Sequence, residues 1–313
     1  MISPMYKEKR PARSEFVPIR GLRYHVQRWG PDSPADAAGA LPPLVLVHGW
    51  MDVAESYQFM VDAFSEAFAT GRSVIAPDWR GFGQTDAGTT DNFWFPDYLA
   101  DLDFLLDHCC PGQPVDLVGH SMGGNIAMTY AGVRPGRIRR LVNLEGFGLA
   151  ATRPSQAPGR YAQWMDQLKS LERAELGLKG YDSMEGVAQR LMKTNPRLPA
   201  DKADWLAARW ARPDAQGRWH IQGHAGHKVT SAQIYRADET LALYQCITAP
   251  VLSVHASDDS LAMWWKGSYT LADYHERLKS VPDARSAVMH NAGHMLHHDQ
   301  PEQLAALIEN FLA

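Results

Sequence analysis

Apolar, β-branched runs alternate along this chain with longer stretches in which apolar residues recur at helical spacing. Leu44–Val47, Val74–Ala76, Val115–Val118, Leu141–Leu144 and Val251–Val254 are such runs, most of them continuous rather than alternating. A strand that is apolar at every position has no solvent face, so the pattern predicts strands buried on both sides in a mostly parallel sheet, with helices covering each face. Upstream, Phe16–Arg20 and Leu22–Gln27 read as an antiparallel pair turning at Gly21, and Pro31–Ala40 is loop-like from its Pro, Gly and Asp content. The expected class is α/β with a doubly wound sheet.

The rhythm changes between residues 147 and 249. No convincing parallel strand occurs there; Tyr161, Trp164, Met165, Leu168 and Leu171 share one helical face, and Trp205, Leu206, Arg209 and Trp210 suggest another, with Pro196, Pro199 and Pro213 as breakers. The expectation is a helical cap at 147–249, inserted into a core made of 1–146 and 250–313. A chain of 313 residues exceeds the size at which one core usually stops growing, which suits a domain with an insertion.

Composition narrows the partners. A net charge of −4, from 31 Lys and Arg against 35 Asp and Glu, offers no basic face for nucleic acid, so a small-molecule substrate is expected. No apolar run reaches membrane-spanning length and the first ten residues lack the apolar centre of a secretory signal, which makes cytoplasmic the default location. Of three cysteines, Cys109 and Cys110 are adjacent, giving neither a disulfide framework nor a zinc spacing. Oligomeric state is not legible.

The chemistry centres on Gly119-His120-Ser121-Met122-Gly123, a G-x-S-x-G match directly after the run 115–118 and opening a helical pattern. In a strand, sharp turn, helix arrangement such a serine is pushed clear of the sheet, and its neighbours must be small. A neutral hydroxyl attacks poorly, so Ser121 needs a base and the base needs an orienting acceptor. His294 lies on a loop beyond the strand-like 286–289, and Asp258 and Asp259 follow the run 251–254. Glu145, just past 141–144, is a third carboxylate at a strand end.

Taken in chain order, nucleophile, acid and base resemble the α/β-hydrolase fold, with further matches at His48-Gly49-Trp50, Asp78-Trp79-Arg80-Gly81-Phe82-Gly83 and Gly293-His294. The resemblance covers nearly the whole core and implies that Trp50 and Met122 donate oxyanion-hole amides. It favours Asp259 as the acid, counting from Pro250 with Ala256 in place of a usual glycine, with Asp258 and Glu145 as alternatives. It implies a loop-shaping Arg80 as well. The segment 146–249, including His227-Lys228 and Tyr235-Arg236, resembles the lid of serine hydrolase-like proteins.

The implied activity is a cofactor-independent carboxylesterase (class 3.1.1) acting on a small or medium, largely neutral ester, with activity declining as His294 protonates near pH ~6.5. Serine-dependent carbon–carbon hydrolases, lactonases and cofactor-free haloperoxidases share the triad, because the pocket selects the bond. A non-catalytic receptor is the rival from outside enzymology. Trp50, Trp164 and Trp264 are candidate pocket residues, while Trp205, Trp210 and Trp219 read as insertion core. The Gly81–Asp86 stretch lacks the third glycine of a dinucleotide fingerprint, so no nucleotide cofactor is implied. His290, His297 and His298 lack a metal motif, and like His224 and His227 read as solvated loop histidines; no metal is expected.

Overall fold

A computed structural model describes residues 6–31 and 41–313. The first five residues, and all of the Pro31–Ala40 loop reading except Pro31, lie outside the described residues.

Every strand expected from the apolar runs forms. β1 (Arg13–Ile19), β2 (Leu22–Trp29), β3 (Leu44–Val47), β4 (Val74–Pro77), β5 (Val115–His120) and β6 (Ile138–Leu144) are followed, after the insertion, by two more strands. Within the insertion lie β7 (Gly180–Tyr181), β8 (Ala211–Pro213) and β9 (Trp219–Ile221); β10 (Val251–Ala256) and β11 (Ala284–Met289) return to the main sheet. The eight main strands run in the order β1-β2-β4-β3-β5-β6-β10-β11. β1 and β2 are antiparallel, β2 joins β4 antiparallel, and the rest pair in parallel. The continuous runs Leu44–Val47 and Val115–Val118 are buried at every position, as a doubly covered sheet demands.

Twelve described helices surround this frame: α1 (Gln58–Ala63), α2 (Glu66–Thr70), α3 (Phe95–Cys109), α4 (Met122–Val133), α5 (Ala157–Glu172), α6 (Met184–Thr194), α7 (Ala200–Trp210), α8 (Ala237–Gln245), α9 (Ser260–Trp265), α10 (Leu271–Leu278), α11 (Leu296–Asp299) and α12 (Pro301–Leu312). Leu102 and Leu105 of α3, Ile126 of α4, Tyr244 of α8 and Tyr274 of α10 pack on one sheet face. Met60 of α1 and Leu304 and Ile308 of α12 pack on the other. The consequence is a three-layer doubly wound core, with loops gathered at the carboxyl ends of the parallel strands, where such folds place their sites. Among the described residues no helix is long and apolar enough to cross a membrane.

The insertion departs from the all-helical expectation. Between β6 and β10, alongside α5 to α8, β7, β9 and β8 form a small antiparallel sheet. Strands of two or three residues are too short to show an alternating pattern, which is why no periodicity announced them. A third core of Val187, Leu191, Leu206 and Trp205 holds α6 and α7 together and takes in Phe59 of α1. Trp205 is insertion core as expected, and its ring meets those of Tyr6 and Phe59. The face expected of α5 is shallow: Trp164, Leu168 and Leu171 are half-buried, but Tyr161 and Met165 are exposed.

Arg80 is held by a buried carboxylate. Asp101, fully buried on α3, accepts from Arg80 Nε at 2.5 Å and Nη2 at 2.6 Å, from the Tyr24 hydroxyl at 2.5 Å and from Arg20 Nη1 at 3.0 Å. Removing Asp101 takes the buried countercharge from Arg80 and Arg20 and leaves them the partly exposed Asp97, 2.8 Å from Arg20 and 3.6 Å from Arg80. Asp101→Ala is therefore expected to lower unfolding free energy by about 3–5 kcal/mol, read as a lower urea midpoint at unchanged slope.

Candidate active site

Ser121 sits between β5 and α4 with φ 53° and ψ −115°, a left-handed conformation that a non-glycine residue holds only when its surroundings force it. The forcing is visible in the glycines. A Cβ at Gly119 would lie 2.4 Å from Gly123 O, and one at Gly123 would lie 2.2 Å from Val47 O, so no side chain fits where α4 crosses β3 and β5. Ser121 N donates to Leu144 O at 2.8 Å, and Ser121 O accepts from Asn125 N at 3.0 Å. The turn is pinned on both sides while Oγ makes no hydrogen bond among the described residues and faces a cavity.

The neighbouring strand ends supply the other groups. His120 Nε2 lies 2.7 Å from His294 O and the two rings are 4.7 Å apart, which brings the His294 loop against the Ser121 turn. His294 Nδ1 stands 3.2 Å from Glu145 Oε2. That carboxylate is buried just past β6, also at positive φ, and is positioned by Ala256 N on Oε1 and the Ser260 hydroxyl on Oε2, each at 2.7 Å. Burial pushes Glu145 up to about 7 and His294 down to about 4, since both lose water around their charged forms.

The acid favoured by the family pattern is placed differently. Asp259 is the N-cap of α9, its Oδ1 accepting from Ala262 N at 2.9 Å, and Asp258 is ion-paired with Arg197 of the insertion at 2.8 Å. Neither carboxylate hydrogen-bonds His294; Glu145, the alternative, does. The physical reason is local: an Asp directly before a helical turn finds a backbone N–H three residues on. That cap signal, Asp259 ahead of Leu261–Trp265, was present in the sequence.

The amides expected to serve an oxyanion lie beside the serine. A Cβ on Gly49 would be 3.1 Å from Ser121 Cβ, so the chain entering Trp50 passes directly against the turn. Met122 opens α4, where the first amides lack helical acceptors. Trp50 and Met122 also line the cavity of about 790 Å³ that Ser121 faces, together with Phe93, Tyr98, Phe147 and Trp264. A volume of that size suits a small organic ligand. Trp264 also covers His294 edge-on at 4.4 Å. Trp164 does not line the cavity; its Nε1 donates to Asn92 Oδ1 at 3.3 Å, tying α5 to the core.

Several histidines differ from the solvated expectation. His297 and His298 are buried. His227 is stacked between Phe82 and Phe93, with ring centroids at 3.7 and 3.6 Å, and its carbonyl accepts from Trp50 Nε1 at 3.3 Å. Burial pushes its imidazole down to about 3. His227 thus ties the segment between β6 and β10 to the core beside Trp50. Sequence spacing could not show this, because Phe82 and Phe93 are remote from it along the chain.

Residues 42–301 match the family described as alpha/beta hydrolase fold. This chain belongs to the alpha/beta hydrolase family. The hydrolase is 25% identical over 309 residues to a serine hydrolase-like protein of Danio rerio, covering 97% of this chain and 89% of the relative. It is 26% identical over 274 residues to the 2-(acetamidomethylene)succinate hydrolase of Mesorhizobium japonicum, covering 88% and 89%. Among solved structures, a thioesterase domain from the curacin biosynthetic pathway superimposes with TM-score 0.78 at 22% identity, over 96% of this chain and 99% of that one, a likeness of fold.

The desolvation of His294 sets its titration. By NMR, the His294 imidazole is expected to stay neutral as pH falls past 6 and to titrate near 4; a midpoint near the unperturbed ~6.5 would contradict the burial argument.

Proposed function

We propose that this chain is a serine hydrolase that cleaves a small or medium, largely neutral carboxylic ester through Ser121, His294 and Glu145. The observation that carries the reading is the His294–Glu145 contact beside a serine strained at φ 53°. His294 takes the Ser121 proton as Oγ attacks the carbonyl carbon, and Glu145 accepts the Nδ1 hydrogen and stabilises the imidazolium. Among the described residues Ser121 Oγ and His294 share no hydrogen bond, and the mechanism requires substrate binding to bring them within reach. The Trp50 and Met122 amides hold the developing oxyanion, each contributing about 3 kcal/mol to transition-state stabilisation. The protonated histidine then releases the alcohol, and water activated by the same base frees the acyl group.

Both charge states matter for pH dependence. His294, with its pKa lowered, is already neutral well below pH 7, so it does not set the acidic limb. Glu145, raised to about 7, loses its charge as pH falls through that value. The expected kcat/KM profile therefore falls below pH 7 on account of the carboxylate, and the limb moves or vanishes in Glu145→Gln.

Replacing Ser121 by Ala is expected to abolish ester turnover and fluorophosphonate labelling; retained turnover would refute the mechanism, and an unlabelled wild type would point to a receptor. Glu145→Gln should lower kcat by roughly 10²–10⁴-fold. Asp259→Ala, by contrast, should leave kcat within about threefold and lower stability by about 1 kcal/mol through loss of the α9 cap. The reverse ranking would return the acid role to Asp259.

The aromatic lining supports an apolar acyl or aryl pocket. Across p-nitrophenyl esters of growing acyl length, kcat/KM is expected to rise until about 790 Å³ is filled and then to fall; a flat response would remove the apolar-pocket reading. The relative named 2-(acetamidomethylene)succinate hydrolase supports a second reading beyond simple esters. A panel including thioesters, lactones and dienone-type substrates, run beside Ser121→Ala, ranks the alternatives.

A further inference from the structure

Behind the serine turn lies a second polar cluster that ester chemistry does not use. One potential ligand atom from each of Asp52, His120 and His297 lies within 4.8 Å of the others, and all three residues are buried. They come from the loop after β3, the last residue of β5 and helix α11, which follows the His294 loop.

Three atoms in this cluster lack hydrogen-bond partners among the described residues: Asp52 Oδ2, His120 Nδ1 and His297 Nδ1. Orphaned buried polar atoms are costly, and a carboxylate oxygen among imidazoles more so. The other atoms of these residues are engaged. Asp52 Oδ1 accepts from Val53 N at 2.8 Å. His120 Nε2 lies 2.7 Å from His294 O, a carbonyl that can only accept, so the proton is on Nε2 and the Nδ1 lone pair is free. His297 Nε2 is 3.2 Å from the Ser56 hydroxyl and 3.8 Å from Asp52 Oδ2. His120 has the orientation common in metal-binding histidines, with its second nitrogen fixed on a carbonyl, while His297 presents Nε2 toward Asp52. The approach to His120 Nδ1 is open because residue 49 is glycine; a Cβ there would lie 3.0 Å away.

We propose that Asp52, His120 and His297 form a binding site for one divalent transition-metal ion of the zinc type. Two imidazoles and one carboxylate suit such an ion, and three protein ligands leave a fourth position for water. Bonds of about 2.0–2.1 Å place tetrahedral donors about 3.4 Å apart, so the three groups need to draw together by little more than an ångström. The ion would tie together the loops that carry Trp50, Ser121 and His294. Its role is structural, and it stands independently of the ester reading.

The test uses the full chain stripped with a chelator, Zn²⁺ as probe, and three measurements: bound zinc by elemental analysis, affinity by calorimetry, and an anomalous difference map at the zinc edge. The expected result is one equivalent of Zn²⁺, a raised Tm and an anomalous peak between the three side chains. Asp52→Asn, which keeps the shape and removes the charge, should weaken binding by at least about 100-fold, since even outer-shell partners are worth roughly 10–100-fold. His297→Gln provides the same comparison if Asp52→Asn fails to fold. No stoichiometric zinc, a peak elsewhere, affinity unchanged in a folded variant, or ordered water at the site without anomalous signal would overturn the proposal.

Discussion

The site depends on one steric constraint, the crossing of α4 over β3 and β5 at a distance that excludes side chains at Gly119 and Gly123. Helix and strands can meet that closely only if the chain reverses within a single residue, and Ser121 is that residue. Its strained backbone is sustained by packing on either side, chiefly the Leu144 carbonyl and the first turn of α4. The same crossing brings the His48–Trp50 loop against the serine. Several geometric features of the candidate site are thus consequences of one close approach.

The strand ends around it behave as a common platform. Met51, Ser121 and Glu145 all adopt positive φ just beyond β3, β5 and β6, and each redirects the chain across the end of the sheet. Backbone strain concentrated in this way points to positions where geometry matters more than local stability. The segment between β6 and β10 is tied to the core beside this platform by His227 between two phenylalanines, by Trp164 on Asn92 and by Arg197 on Asp258. These ties are chemically different from one another, and each fastens a separate part of the insertion.

Legibility in the sequence followed the range of the interactions involved. The buried strands were readable because full burial on both faces leaves continuous apolar runs, and Ser121 was readable because the close crossing dictates glycines within two residues of it. His294 followed from its place beyond a strand. The partner of His294 was harder, because Glu145, Asp258 and Asp259 all follow strands and, apart from the cap signal at Asp259, only side-chain direction separates them. Glu145 reaches His294 through a positive φ and two donors on a different strand end, none of which leaves a local pattern. The small sheet β7-β9-β8 and the His227 stack were invisible for related reasons: one is too short for periodicity, the other joins residues from distant segments.

The capped helix α9 carries an implication for solvent. Its Trp264 forms an edge-on wall over His294, and that wall stands on a helix of only six residues begun by Asp259. So short a helix is only marginally stable by itself. A cap worth about 1 kcal/mol corresponds to roughly a fivefold change in how often the turn frays. Asp259 therefore sets how firmly Trp264 stands between bulk solvent and the part of His294 that it covers, the His294 side chain being 21% exposed.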